Sequence, residues 1–341
     1  MQKVDTKEAV GMVLCHDITM VIPGKFKGAA FKKGHIIRAE DVPELLKLGK
    51  DQIYIWECGA EFLHENEAAQ RIAGASGGEG TTFTEPGEGK VRFIASVTGL
   101  LKVDVQGVCL VNDIEEVALS TRHTNLIVEK GDMIAATKVI PLVVKREKIE
   151  LVEQVCKERG PLLEVKEIQS FRTGLITTGN EVYHGRIVDK FSPVVKEKLS
   201  RFDCPVPFHV ILPDETTRIT KSIMDFIKKG ADMVIITGGM SVDPDDVTPS
   251  GIRATGAEIV TYGAPVFPGA MFILAYLGAT PILGLPACVM YSKATIFDLI
   301  LPRILAGERV TRREITRMGH GGLCLDCPHC SFPSCSFGKS V

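Results

Sequence analysis

Between residues 171 and 310 the chain alternates two hydrophobic rhythms. Short continuous apolar runs recur at 172–178, 206–212 and 233–236, and further ones near 258–260, 272–275 and 281–285. Runs of this length suit strands buried on both faces, as in a parallel sheet covered by helices. Between them, apolar residues fall at helical spacing. Residues 189–202 carry Val194, Val195 and Leu199, and residues 214–229 carry Ile219, Ile223, Phe226 and Ile227. A last helix is expected from about residue 288 to 301. Such alternation predicts a three-layer α/β domain, a mostly parallel sheet with helices on both faces.

The upstream rhythm is shorter and more broken. Residues 1–57 predict a small α+β N-terminal domain. Its helix starts at Asp41, carries Val42, Leu45, Leu46 and Leu48, and closes at Gly49, ahead of a strand at 52–56. Residues 58–170 predict a Gly-rich loop and a β-rich auxiliary domain. The loop, 74–89, reads GASGGEGTTFTEPGEG and is expected to be a linker. Strands are expected at 91–97, 107–111, 126–128 and 139–144, and a helix at 148–159. Residues 311–341 form a basic segment and a Cys-rich tail. With Arg309, the segment's Arg312, Arg313 and Arg317 read as a solvated face or as a docking patch for an acidic partner.

Two strand ends of the α/β region carry candidate chemistry. One is Thr178-Gly179-Asn180-Glu181. The other runs from Thr237 through Gly238, Gly239 and Ser241 to Asp243, Asp245 and Asp246, with Thr248 as the expected cap of the next helix and Pro249 behind it. Ligands of open α/β sheets bind at the carboxyl ends of strands. If these strands are neighbours, Glu181, Asp243, Asp245 and Asp246 converge. Carboxylates with waters and substrate phosphates are what Mg²⁺ prefers, and glycine N–H groups beside a helix start favour an anion. Without the metal the carboxylates would repel phosphate, so the two expectations stand together.

Composition narrows the classes. The chain has 341 residues, a formal net charge of −2, 45% hydrophobic and 24% charged residues. These values give no electrostatic case for nucleic acid. The start, MQKVDTKEAV, lacks the apolar core of a signal peptide. The apolar stretches are far shorter than the roughly 20 residues that span a bilayer. A cytoplasmic protein without membrane partners is therefore expected.

Cysteine usage adds a second candidate centre. Four of the 10 cysteines, Cys324, Cys327, Cys330 and Cys335, crowd into HGGLCLDCPHCSFPSCSFG. The spacing Cys-x2-Cys-x2-Cys-x4-Cys offers four thiolates to Zn²⁺ or to a [4Fe–4S] cluster. A tail too short for its own core is expected to need that metal to fold. Cys288, at the expected start of the last helix, reads as a small core residue or as a thiol activated by the helix N-terminus.

With these residues in view, residues 171–307 resemble the molybdopterin-binding domain shared by molybdopterin adenylyltransferases and molybdotransferases. The resemblance rests on Thr178-Gly179-Asn180-Glu181, residues 185–189, Pro213-Asp214, residues 237–242, Asp246, Pro268-Gly269 and Gly284-Leu285-Pro286, in order and spacing. The extra upstream domains, with a Gly-x-Val-Leu segment at 11–14, look more like the molybdotransferase branch. The resemblance implies an enzyme of molybdenum cofactor biosynthesis. It would bind adenylylated molybdopterin, release AMP with Mg²⁺ and insert molybdate, or else serve as a carrier for a molybdenum-enzyme client. It also implies a homodimer. Carried over, Glu181 and Asp246 are catalytic, and Thr178, Gly179, Gly238, Gly239, Ser241, Pro268 and Gly269 hold the ligand. The sequence departs from the family at Phe267 and Ala270, where both lysines of Lys-Pro-Gly-Lys-Pro are absent, and at Ala287-Cys288, which replaces Gly-Asn.

Overall fold

The structure is a computed structural model that describes residues 2–22, 26–55, 61–241, 243 and 246–339; Trp56, Val242 and Asp245 lie outside them. The chain falls into two compact units. One holds residues 1–96, 103–122 and 131–164, and the other holds 97–102, 123–130 and 165–341.

In the first unit, strands Gln2–Asp5 and Gln52–Ile55 pair antiparallel, as do Ile18–Ile22 and Phe26–Phe31. Helix Val42–Lys47 follows Asp41, whose side chain does not cap it. That carboxylate instead takes a hydrogen bond from His35 at 2.6 Å and one from the Arg38 N–H at 2.8 Å. The unit also contains a four-stranded antiparallel sheet in the order Thr81–Phe83, Lys90–Ala95, Met133–Val139, Val117–Thr121. Helices Glu65–Ser76 and Arg146–Arg159 pack together, joined by Arg71 and Glu153 through two bonds of 2.7 and 2.8 Å.

Two expectations for this unit are corrected. Residues 74–89 are not a linker: they finish helix Glu65–Ser76 and supply the edge strand Thr81–Phe83. Residues 107–111 are not a strand but the middle of helix Val105–Asn112. A short apolar run has no period of its own. Here Asp104 decides it, because its carboxylate accepts the Gly107 N–H and caps the turn.

The second unit is dominated by one mixed sheet. Its elements are β1 (Thr173–Thr178), α1 (Phe191–Ser200), β2 (Phe208–Leu212), α2 (Thr216–Lys228), β3 (Met233–Thr237), α3 (Thr248–Ala254), β4 (Glu258–Tyr262), β5 (Ile273–Leu277), β6 (Thr280–Leu285) and α4 (Ile296–Leu305). The strand order is β2-β1-β3-β6-β5-β4. The first four are parallel, whereas β5 runs antiparallel to both neighbours.

Successive side chains of a strand point to opposite faces. Leu175, Met233, Ile235 and Leu283 therefore meet Val195 and Leu199 of α1 and Phe297 and Ile300 of α4. Ile176, Val234, Ile236 and Ile282 face the other way, onto Ile219, Ile223 and Phe226 of α2 and Ile252 of α3. Two apolar faces explain why β1 and β3 read as unbroken hydrophobic runs. The expected helix at 288–301 divides into a 3-10 turn, Ala287–Met290, and α4, which starts at the Thr295 capping box with Asp298. Burial pushes the Cys288 thiol up, so the turn does not activate it.

The basic segment folds back onto this unit as a short helix, α5 (Arg312–Arg317). Arg309 pairs with Glu258 at 2.7 Å and lies over the Tyr276 ring, and Arg312 donates to Thr261 at 3.0 Å. Those two guanidiniums have partners within the fold.

Candidate functional site

Because β2, β1 and β3 are adjacent, their carboxyl ends open onto one cavity of about 920 Å³. That volume suits a cofactor-sized ligand. The β1 end contributes Thr178, Gly179, Asn180 and Glu181; the β2 end contributes Asp214; the β3 end contributes Gly238, Gly239, Asp243 and Asp246. Asp189, Lys190 and Phe191 at the start of α1, and Met290, also line it.

The three strand ends are tied to one another. Asn180 donates its N–H to Asp214 Oδ2 at 2.9 Å, and the Asp214 N–H donates to Asn180 Oδ1 at 3.3 Å. Gly238 has φ +87°, and a β-carbon there would sit 2.2 Å from the Thr178 carbonyl oxygen. Only glycine brings the backbone of β3 this close to that of β1. Thr248 was the expected cap of α3, but Val247 takes that place. The Thr248 hydroxyl instead donates to the Gly238 carbonyl at 2.9 Å, and its N–H to that of Gly239 at 3.2 Å. The acidic loop closes through Asp246, whose Oδ2 accepts the Asp243 N–H at 2.9 Å.

The wall is strongly acidic. Glu181, Asp189, Asp214, Asp243 and Asp246 line it, against the single cation Lys190 among the described residues. Asp214 carries the consequence. Its Oδ1 is buried with no hydrogen-bond partner. Burial, together with the charges of Glu181 and Asp246, pushes its carboxyl up against the pull of the Asn180 N–H and the Thr178 hydroxyl. At the head of the helical pattern 214–229, Asp214 has the chemistry of an N-cap. The structure gives the N-cap to Glu215 and leaves Asp214 facing the cavity. Its place at a third strand end was the signal for the site.

Asp189 differs in kind. Burial opposes its charge, but the Ser192 hydroxyl, the Ser192 and Phe191 N–H groups and the Thr177 hydroxyl hold it below the usual carboxylate range. It is an anchored structural anion that starts α1.

Several expected residues lie elsewhere. Ser241 is exposed and outside the cavity wall. Pro268 and Gly269 lead into β5, which one strand, β6, separates from β3, and they are not part of the cavity wall. The Pro268 carbonyl accepts the Ile296 N–H at the start of α4. Among the described residues no three His, Cys, Asp or Glu side chains stand close enough to hold a metal ion. The four tail cysteines are thus not gathered on one point. Phe337 is buried in the α/β core, with Phe332, Cys324 and Cys335 packed against it.

The fold and the strand-end cradle agree with the sequence comparisons. The family model described as "Probable molybdopterin binding domain" matches residues 174–306. That segment is a molybdopterin-binding-type domain. Residues 3–57 match a second model, described as a domain of unknown function. Molybdopterin adenylyltransferase of Pyrococcus furiosus is 30% identical over 95 residues, 28% of this chain and 56% of that protein. Molybdopterin molybdenumtransferase of Haemophilus influenzae is 27% identical over 157 residues, 43% of this chain and 38% of that protein. A CinA-like protein of Fusobacterium nucleatum is 31% identical over 77 residues, 23% of this chain and 19% of that protein. The chain therefore spans from about a fifth to just over half the length of these relatives. Among solved structures, the tungsten cofactor synthesizing protein MoaB from Pyrococcus furiosus is 20% identical, covering 41% of this chain and 98% of its own, at a TM-score of 0.34. The curated relatives of this domain carry different names. Among the described residues no helix is long and apolar enough to cross a membrane.

Proposed function

We propose that the molybdopterin-binding-type domain binds adenylylated molybdopterin in the strand-end cavity, releases AMP with Mg²⁺ and accepts molybdate, as a step of molybdenum cofactor biosynthesis. The observation that carries this reading is Asp214 Oδ1, a buried carboxylate oxygen without a partner, beside Glu181 and Asp246. An ionised carboxylate so placed is costly unless a cation joins it. A cavity with five carboxylates and one lysine in its described wall favours a cation and disfavours a bare phosphate. Mg²⁺ fits this donor set, because it takes one or two carboxylates and completes its shell with waters and substrate phosphates. Glu181 and Asp246 would hold it, with waters and substrate phosphates completing its shell. Bound there, it would neutralise the ligand's phosphate charge.

The chain's own residues do the rest. The backbone N–H groups at Gly238 and Gly239 would offer donors to phosphate oxygens. Thr178 and Thr248 fix the turn that presents them. The family names of the relatives support the ligand class, and a homodimer belongs to the same proposal.

A second reading is favoured by one observation at Phe267. This residue stands where the resemblance calls for a lysine, and both its main-chain groups are engaged by the tail, its N–H by Gly322 O and its carbonyl by the Cys324 N–H, each at 2.8 Å. A cradle without that cation suits a carrier that hands molybdopterin to a molybdenum-enzyme client without turnover. Anaerobic incubation of the full chain with adenylylated molybdopterin and Mg²⁺ separates the two. Molybdate-dependent AMP release supports the transferase, and binding without release supports the carrier. Neither binding nor release removes both.

A further inference from the structure

Past α5 the chain carries four thiols that the strand-end cavity does not use. Cys324, Cys327, Cys330 and Cys335 all line one separate cavity of about 50 Å³, floored by Ala294, Phe332 and Phe337. All four are free of disulfides. The loop that carries them is fixed without them. The Gly338 N–H donates to the Gly321 carbonyl at 2.9 Å, closing the loop at its base. Phe267 and Leu323 form a bridge that ties its start to the α/β domain. Phe337 is 3% exposed and meets the Phe332 ring edge-on at 6.1 Å.

Spacing and a shared cavity favour one of the two groups that four thiolates can hold. A tetrahedral structural zinc more often pairs two separated Cys-x2-Cys knuckles. These four sulfurs instead line one cavity from a single close run. A [4Fe–4S] cluster binds each thiolate at a different iron, so its ligands stand apart around a common volume. Three thiols come from one Cys-x2-Cys-x2-Cys run and the fourth follows Pro333, two residues on. The aromatic floor would shield the inner face of a cluster, a lever on its potential.

We infer that the tail binds a [4Fe–4S] cluster through Cys324, Cys327, Cys330 and Cys335. The site lies next to the molybdopterin-binding-type cavity. Cys330 and Met290 line a third cavity, and Met290 also lines the strand-end cavity. Cluster binding does not depend on what the strand-end cavity takes up.

The full chain is reconstituted anaerobically with ferrous iron, sulfide and a thiol reductant, desalted, and assayed for iron, acid-labile sulfide, visible absorption and the electron paramagnetic resonance of the reduced form. About four irons and about four sulfides per chain, with a thiolate-to-iron charge-transfer band, are expected. Cys327 and Cys330 are exposed, so Cys327→Ala and Cys330→Ala should melt like the parent yet lose the band. Cys109→Ala, an exposed cysteine of the other unit, should keep it. Retention of stoichiometric zinc in place of iron and sulfide overturns the inference. So does a chain that keeps no metal, or a full cluster in both the Cys327→Ala and Cys330→Ala variants.

Discussion

The backbone of Gly238 meets the carbonyl of Thr178 so closely that a β-carbon on the glycine would lie 2.2 Å from that oxygen. This approach joins the ends of β1 and β3 and gives the cavity its floor. Gly238→Ala adds that clash to a backbone at φ +87°. It should destabilise the chain by at least about 1–3 kcal/mol. Gly74→Ala is the matched contrast: its β-carbon meets nothing within 4 Å inside helix Glu65–Ser76. It should add about 0.5–1 kcal/mol. Urea unfolding of both variants checks the pair.

Asp214 should oppose stability and support binding. Its carboxyl is raised by burial and by the charges of Glu181 and Asp246. A raised folded value means that its contribution to stability is present below the usual carboxylate range and is lost as pH rises through the raised value. At neutral pH the ionised group therefore strains the ligand-free chain. Asp214→Asn should raise stability there by about 0.5–2 kcal/mol, with the gain fading in acid. The same variant should weaken Mg²⁺-dependent ligand uptake. A variant less stable than the parent at neutral pH would contradict this.

Asp246 separates charge from turn geometry. Its Oδ2 accepts the Asp243 N–H. Asp246→Asn keeps an acceptor there and removes the charge. Its melting temperature should stay close to the parent's, while Mg²⁺-dependent binding falls by about 10- to 100-fold, the worth of a charged hydrogen bond. Asp246→Ala should lose both. Calorimetric titration alongside thermal melts reads the two effects apart.

A buried charge network beneath the tail sets an acid limit. Arg303 is 4% exposed and binds Glu308 at 2.8 Å and Glu314, while Lys102 also pairs with Glu308 at 2.7 Å. Burial works against the Glu314 charge, but the Thr311 hydroxyl and N–H and the Arg303 guanidinium hold its carboxyl down to about 2, from 4.5. A lowered folded value gives stability that is present above pH 4.5 and lost as pH falls toward 2. Parent stability should therefore decline across that window, and Glu314→Gln should flatten part of the decline. Arg303→Ala, which strands two carboxylates, should cost about 3–5 kcal/mol at neutral pH.

The α/β domain was legible because its strands are buried twice. Leu175 and Ile176 face different helical layers, so no polar residue interrupts the run. Glu181, Gly238 and Asp246 line the strand-end cavity, and each lies in the loop that follows such a run. Asp214 was misread because capping and lining use the same carboxylate chemistry, and only the reciprocal bonds with Asn180 show which it does. Residues 107–111 were misread because a five-residue apolar run fits either period. Pro268 and Gly269 carry a family-like motif, but they lead into β5, with β6 between it and β3. No local pattern encodes that displacement.

The most direct test is anaerobic equilibrium binding of molybdopterin to the full chain, with and without Mg²⁺, in the parent and in Asp246→Asn. Saturable binding that requires Mg²⁺ and weakens in the variant is the predicted result. Absence of binding with Mg²⁺ present, or binding indifferent to both the metal and Asp246, would contradict the assignment of the strand-end cavity.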